Sequence, residues 1–139
     1  MVHQRTNSAL AFVAGLDASR VACAMAAIRL GIGAMGVLAP GRLAWRLFLP
    51  GGRADEATVL ALRAAGARDL ALGLGTVFAF RRGPAPLRGW LLASALADCC
   101  DALIIARSKS ASADVRTATA LVSGLSAGAQ MALARRLTR

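Results

Sequence analysis

The 139-residue chain has no tyrosine, one histidine (His3), one lysine (Lys109) and only seven acidic residues. A lone histidine removes the common nucleophile sets, Ser/His/Asp and Cys/His, and leaves no Cys/His zinc set. Cysteine is scarce too: Cys23, Cys99 and Cys100 are odd in number, sit in apolar runs and show no C-x-x-C spacing. They read as reduced, small packing residues rather than as a disulfide framework. Neither a metal nor a cofactor is expected. Aromatics make up 4% of the chain. Single-stranded nucleic acids are held by aromatics interleaved with basic residues on a folded face. Here the arginines fall mostly at the ends of apolar runs, so no nucleic-acid partner is expected. Charge is also low, at 17%, against about 25% in soluble domains.

Apolar residues are abundant instead, at 57% against about 45–50% in soluble domains. A small domain has much surface to cover and needs charge to cover it in water. Lipid is therefore the expected solvent for much of this surface. The length suits one domain, taken as residues 1–139. The net charge is +10, and 16 of the 17 basic residues are arginine. This balance points to anchoring on the cytoplasmic side and to anionic lipid headgroups as partners. A cleaved signal peptide is not expected, because Asp17 and Arg20 interrupt the would-be apolar core.

Four apolar segments stand out, at about 21–39, 57–80, 89–106 and 115–134. Each fits the roughly 17–25 residues that cross a bilayer as helix. The fourth contains an 18-residue stretch without charge, 117–134, and reads as the strongest span. The connections carry turn chemistry: Pro40-Gly41, Pro50-Gly51-Gly52, Arg81-Arg82-Gly83-Pro84, and the polar stretch 107–116. Between the first two lies "RLAWRLFL", residues 42–49. With Arg42 and Arg46 on one side and Trp45 at headgroup depth, it reads as a short interfacial helix. The expected fold is all-α: a four-helix transmembrane bundle with a short interfacial helix between helices one and two. Eight basic residues flank the spans on the side of the termini and second loop, and six lie on the other. This excess places the termini in the cytoplasm of a multi-pass protein of the inner (plasma) membrane.

Six charges lie inside the spans: Arg29, Arg63, Arg68, Asp69, Asp98 and Asp101. One charge at a helix centre costs about 2.5–3.5 kcal/mol, so six unpaired ones would cost about 15–20 kcal/mol, more than a typical domain's stability. Arg63 and Asp101 are close enough to span ends to snorkel. Arg29, Arg68, Asp69 and Asp98 are deeper and must meet one another or a watery cavity. Helical spacing agrees. Asp98 and Asp101 share a face, Asp69 lies with Gly66 and Gly73, and Arg29 with Gly33 and Gly36. Glycine beside a buried charge admits a neighbouring backbone. The expectation is a buried cluster in which Arg29 or Arg68 pairs with Asp69 and Asp98. It either sets helix register only or forms a ligand or proton site.

Three further patterns need weighing. "GIGAMG" at 31–36 has the outline of a dinucleotide loop but lies within an apolar run with no strand before it. It reads as a packing face. Ala120, Gly124, Gly128 and Ala132 recur every four residues and form a close-contact face, within the bundle or between protomers. Ser123, Ser126 and Gln130 can add hydrogen bonds between helices. Asp98-x-x-Asp101 has the spacing of a Mg²⁺ site for a lipid phosphate, but metal-dependent lipid transferases need more carboxylates.

The stretch "RAAGARDLALGLG", with Arg29 and its following glycines, Pro40 before the Leu/Trp/Phe segment, and Asp98 late in helix three, carries a family likeness. Over about residues 20–134 the chain resembles domain of unknown function 4267, small four-helix membrane proteins. DoxX-like four-helix proteins share the outline. The resemblance implies the fold and no catalytic residue. The expected function is structural or accessory, binding lipid or another membrane protein, with homo-oligomers as one form, because the polar residues available for a carrier's path are few. The alternatives are a small carrier or proton relay using the intramembrane Asp and Arg residues, or a lipid-acting membrane enzyme. A polar path for a carrier would have to come from Thr76, Ser94, Ser123, Ser126 and Gln130.

Overall fold

Asp17 starts the first helix, α1 (Ala18–Leu38), by accepting the backbone N–H of Ser19 at 2.9 Å. This satisfies one of the N–H groups that a helix start leaves open. Pro40 disfavours a helical residue before it, so α1 stops at Leu38 and Pro40 opens α2 (Pro40–Leu47). The next helix, α3 (Glu56–Phe80), is capped by Asp55, whose carboxylate accepts Thr58 N–H at 2.8 Å. The Arg81-Arg82-Gly83 turn ends at Gly83 with φ +112°. Pro84 then occupies the first turn of α4 (Pro84–Arg107), where its missing N–H costs nothing. Ser112 caps α5 (Ala113–Arg136).

The computed structural model describes residues 17–47, 54–109 and 111–137, and within these the chain is all-helical with no strand. The expected His3, Arg5, Arg53 and Arg139, and the Pro50-Gly51-Gly52 break, lie outside the described residues. The four long helices match the four expected segments, α1 stopping one residue short at Leu38 and the others running a few residues beyond several of the ends.

The long helices alternate in direction. Gly33 faces Gly66, Gly36 faces Leu62, and Ala26 faces Gly73, so α1 and α3 are antiparallel. The contact is backbone on backbone. A Cβ at Gly33 would stand 2.8 Å from the Gly66 carbonyl oxygen, and one at Gly66 would stand 2.7 Å from the Gly33 carbonyl oxygen. Helices α4 and α5 also pack closely, whereas α1 meets α4 and α5 only sparsely. Trp90 of α4 fills the space where a side chain on Gly75 would lie, which seats α4 on α3. The result is two tight antiparallel pairs, α1–α3 and α4–α5, joined along α3 and α4. The apolar core gathers at one end: Ala22, Ala79, Leu87, Leu91, Leu133 and Ala134.

Outside, the helices are apolar. Ile28, Leu60, Leu96, Ile104, Val122 and Leu125 are all more than half exposed, which in a chain this size marks a surface made for lipid or a partner. Two helices, α1 and α4, are long and apolar enough to cross a membrane by length and composition. The segment expected to be the strongest span, in α5, does not reach that level among the described residues. It lacks charge, but Thr117, Thr119, Ser123, Ser126 and Gln130 dilute its hydrophobicity. In α3 the interruption is Arg63, Arg68 and Asp69. Helix α2 is amphipathic as expected, with Leu43 and Ala44 buried and Arg42 and Trp45 exposed.

Candidate functional site

The antiparallel register of α1 on α3 sets Arg29, one turn before Gly33, opposite Asp69, one turn after Gly66. Arg29 Nη1 donates to Asp69 Oδ1 at 2.9 Å. Its Nη2 reaches across to α4 and donates to both Asp98 oxygens, at 2.7 and 2.6 Å. The α4–α5 register brings Ser126 and Gln130 to the same carboxylate. Ser126 Oγ and Gln130 Nε2 each donate to Asp98 Oδ2 at 2.6 Å. Asp98 therefore ties all three other long helices, directly or through Arg29, into one network.

A second pair lies beside it. Arg68 grips Asp101 with two parallel bonds of 2.7 Å, Nη1 to Oδ1 and Nη2 to Oδ2. This is the fork-to-fork geometry that gives guanidinium–carboxylate pairs their strength. Arg68 Nη2 also donates to Asp69 Oδ1 at 3.2 Å, so Asp69 links the two pairs. The inner pair is the more enclosed: the side chains of Arg29 and Asp98 are 13% and 8% exposed, those of Arg68 and Asp101 36% and 34%.

All five residues expected to form the cluster thus converge. One detail differs from expectation. Asp101 does not snorkel; Arg68 of the neighbouring α3 holds both its oxygens. Arg63 is exposed and takes part in no ion pair among the described residues, so the cluster has two arginines to three aspartates. Asp98 and Asp101 are also bound by different arginines, so their carboxylates are not a free pair for Mg²⁺.

The cluster forms one wall of a cavity of about 240 Å³ between the two helix pairs. Thr76, Ser94, Ser123, Ser126 and Gln130, scattered over three helices, all line it. Met25, Ile28, Ile32 and Val122 form its apolar rim where α1 and α5 barely touch. No signal in the sequence singled out these rim residues or the Gly75–Trp90 contact, since each depends on how the helices are rotated.

The glycines divide. Gly33, Gly36, Gly66 and Gly73 make the close contacts expected of them. Gly31, Gly124 and Gly128 face open space, so the two glycines of the α5 repeat meet no neighbour among the described residues. "GIGAMG" lies inside α1, away from any strand-to-helix turn. Cys23 and Cys99 are half-buried, Cys100 is exposed, and all three are free thiols. No family model matches the chain, and neither does any curated protein or solved structure.

Proposed function

We propose that the chain is a four-span integral membrane protein of the inner membrane that binds a small molecule in the cleft between its two helix pairs. In this reading α1, α3, α4 and α5 cross the bilayer, α2 lies in the headgroup layer with Trp45 and Arg42, and both termini are cytoplasmic. Anionic lipids meet the arginines at the helix ends. The role is accessory and binding rather than catalytic. The observation that carries it is the convergence of five charged and five polar side chains from four otherwise apolar helices on one cavity. A cluster that only fixed helix register would gain nothing from a cavity, since every void beside buried polar groups costs stability. The family resemblance implies the same fold and adds no activity.

The carrier reading has one observation in its favour: polar side chains continue from the cluster along the bundle, through Ser94 and Thr76 one way and Ser123 the other. Against it, the apolar core of Ala22, Leu87, Leu91 and Leu133 plugs the bundle just beyond Thr76. A dead-end cleft suits binding better than passage.

Two measurements test the proposal. The protein is expected to pellet with membranes and to stay there through a high-salt wash; recovery in the supernatant overturns the membrane reading. Native mass spectrometry from mild detergent is expected to show a small-molecule adduct that Val122→Trp, at the cavity rim, loses. Identical adducts on both proteins overturn the cleft reading.

A further inference from the structure

Resting on the binding cleft proposed above, we infer that its ligand is a monovalent organic cation, an ammonium carrying an apolar tail. The cluster contains two guanidinium groups and three carboxylates, so with all five ionised it holds one negative charge in surplus. Arg63, which would have balanced the set, is exposed and outside it.

The hydrogen bonds locate the surplus. Both oxygens of Asp98 accept from Arg29, and Oδ2 accepts from Ser126 and Gln130 as well. Both oxygens of Asp101 accept from Arg68. Asp69 receives its two bonds, from Arg29 and Arg68, on Oδ1 alone. Its Oδ2 accepts none among the described residues. That oxygen is not sealed in protein either: the one fully buried side-chain polar atom without a partner among the described residues is Arg68 Nε. The cavity is the open space that Asp69 lines.

A carboxylate oxygen without a partner at the edge of a cavity is half of an interaction, because charge away from water is tolerated only when it is paired. An ammonium completes it. An anion does not, since it would add a fourth negative charge beside three, and all four terminal guanidinium nitrogens of Arg29 and Arg68 already donate to aspartates. Arg68 Nε is a donor without a partner, but it is buried out of reach. The rim supplies the rest of the specificity. Ile28, Ile32 and Val122 lie both on the cavity and on the outer surface, so a tail leaving the site runs directly into apolar surroundings. The ligand is thus a cation that arrives from the bilayer, charge first against Asp69 and tail between α1 and α5.

The test uses the full chain in an uncharged maltoside detergent, titrated with hexylammonium, hexanol and hexanoate. Hexylammonium is expected to bind saturably, at least about tenfold more tightly than either control, a difference of about 1.4 kcal/mol or more. Asp69→Asn is expected to weaken it by about tenfold or more. Val122→Trp, which narrows the rim without touching the cluster, is expected to block it and serves if the Asp69 variant does not fold. Hexanoate binding as well as hexylammonium, or an unchanged affinity in Asp69→Asn, overturns the cation and leaves the cleft standing. Failure of all three probes to bind overturns the cleft as well.

Discussion

Arg29 of α1 and Asp98 of α4 form a 2.6 Å ion pair between two helices that otherwise scarcely meet. The pair substitutes for packing that these helices lack. Breaking it from one side leaves a charge enclosed without its counter-ion, and such losses run to about 3–5 kcal/mol. Arg29→Met is therefore expected to lower stability by about that much, since Asp98 keeps only Ser126 and Gln130 and Asp69 keeps only Arg68. Arg68→Met is expected to cost clearly less, because Arg68 and Asp101 are about a third exposed and water can replace the lost partner. Thermal melts of the two variants in detergent check the order; equal losses would contradict the inner–outer division of the cluster.

The glycines make a prediction with two opposite signs. At Gly66 a Cβ would stand 2.7 Å from Gly33 O and 2.9 Å from Val37 N. Neither neighbour is a side chain that can turn away, so α1 and α3 must separate. Gly66→Ala is expected to cost about 1–3 kcal/mol, as overpacking does, and to loosen the Arg29–Asp69 bond set by the same register. Gly124→Ala and Gly128→Ala meet open space. In a helix interior alanine is favoured over glycine by about 1 kcal/mol, so both are expected to hold or raise the melting midpoint. A fall there would reveal that this face of α5 is covered in an assembly.

These contrasts show where sequence reasoning reaches and where it stops. The elements are legible because apolar length, proline and capping residues act locally, and Asp17, Pro40, Asp55 and Pro84 stand where the helices begin. The membership of the cluster is legible because charges cannot be left alone among apolar helices. Its wiring is not: whether Arg29 or Arg68 takes Asp98 depends on helix rotation, which Gly33 against Gly66 and Trp90 against Gly75 decide jointly. The pairing of Asp101 is not legible either, because only the packing of α3 on α4 sets Arg68 beside it. The repeat in α5 looks the same in sequence whether it packs inside the chain or outside it. An absence of charge is not an abundance of apolar surface, and for that reason α5 falls short of the hydropathy of α1 and α4.

The turn between α3 and α4 offers a local test. Gly83 has φ +112° with extended ψ, a region open only to glycine in practice. Its carbonyl also accepts the Leu87 N–H at 3.3 Å as the first bond of α4. Nothing crowds the position, so strain is the whole effect. Gly83→Ala is expected to lower stability by about 1–3 kcal/mol without changing any contact of the cluster. A melt showing no loss would mean that the turn has another conformation at similar energy.

The N-cap of α3 carries a pH dependence of its own. Hydrogen bonding from Thr58, by its side chain first and then by its backbone N–H, favours the charged form of Asp55 and holds the carboxyl below its usual 3.8. A group whose pKa is lower in the folded state stabilises the fold above its unfolded value and loses that contribution as pH falls through the folded one. The contribution of Asp55 is therefore complete at neutral pH and fades only below 3.8. Asparagine keeps the acceptor without the charge. The difference in melting midpoint between the native chain and Asp55→Asn is thus expected to be constant down to weakly acidic pH and to shrink below 3.8. Asp55→Ala, which removes the acceptor too, is expected to stay destabilised at every pH. A native-versus-Asn difference that grows on acidification would show that the carboxyl is not held in its charged form.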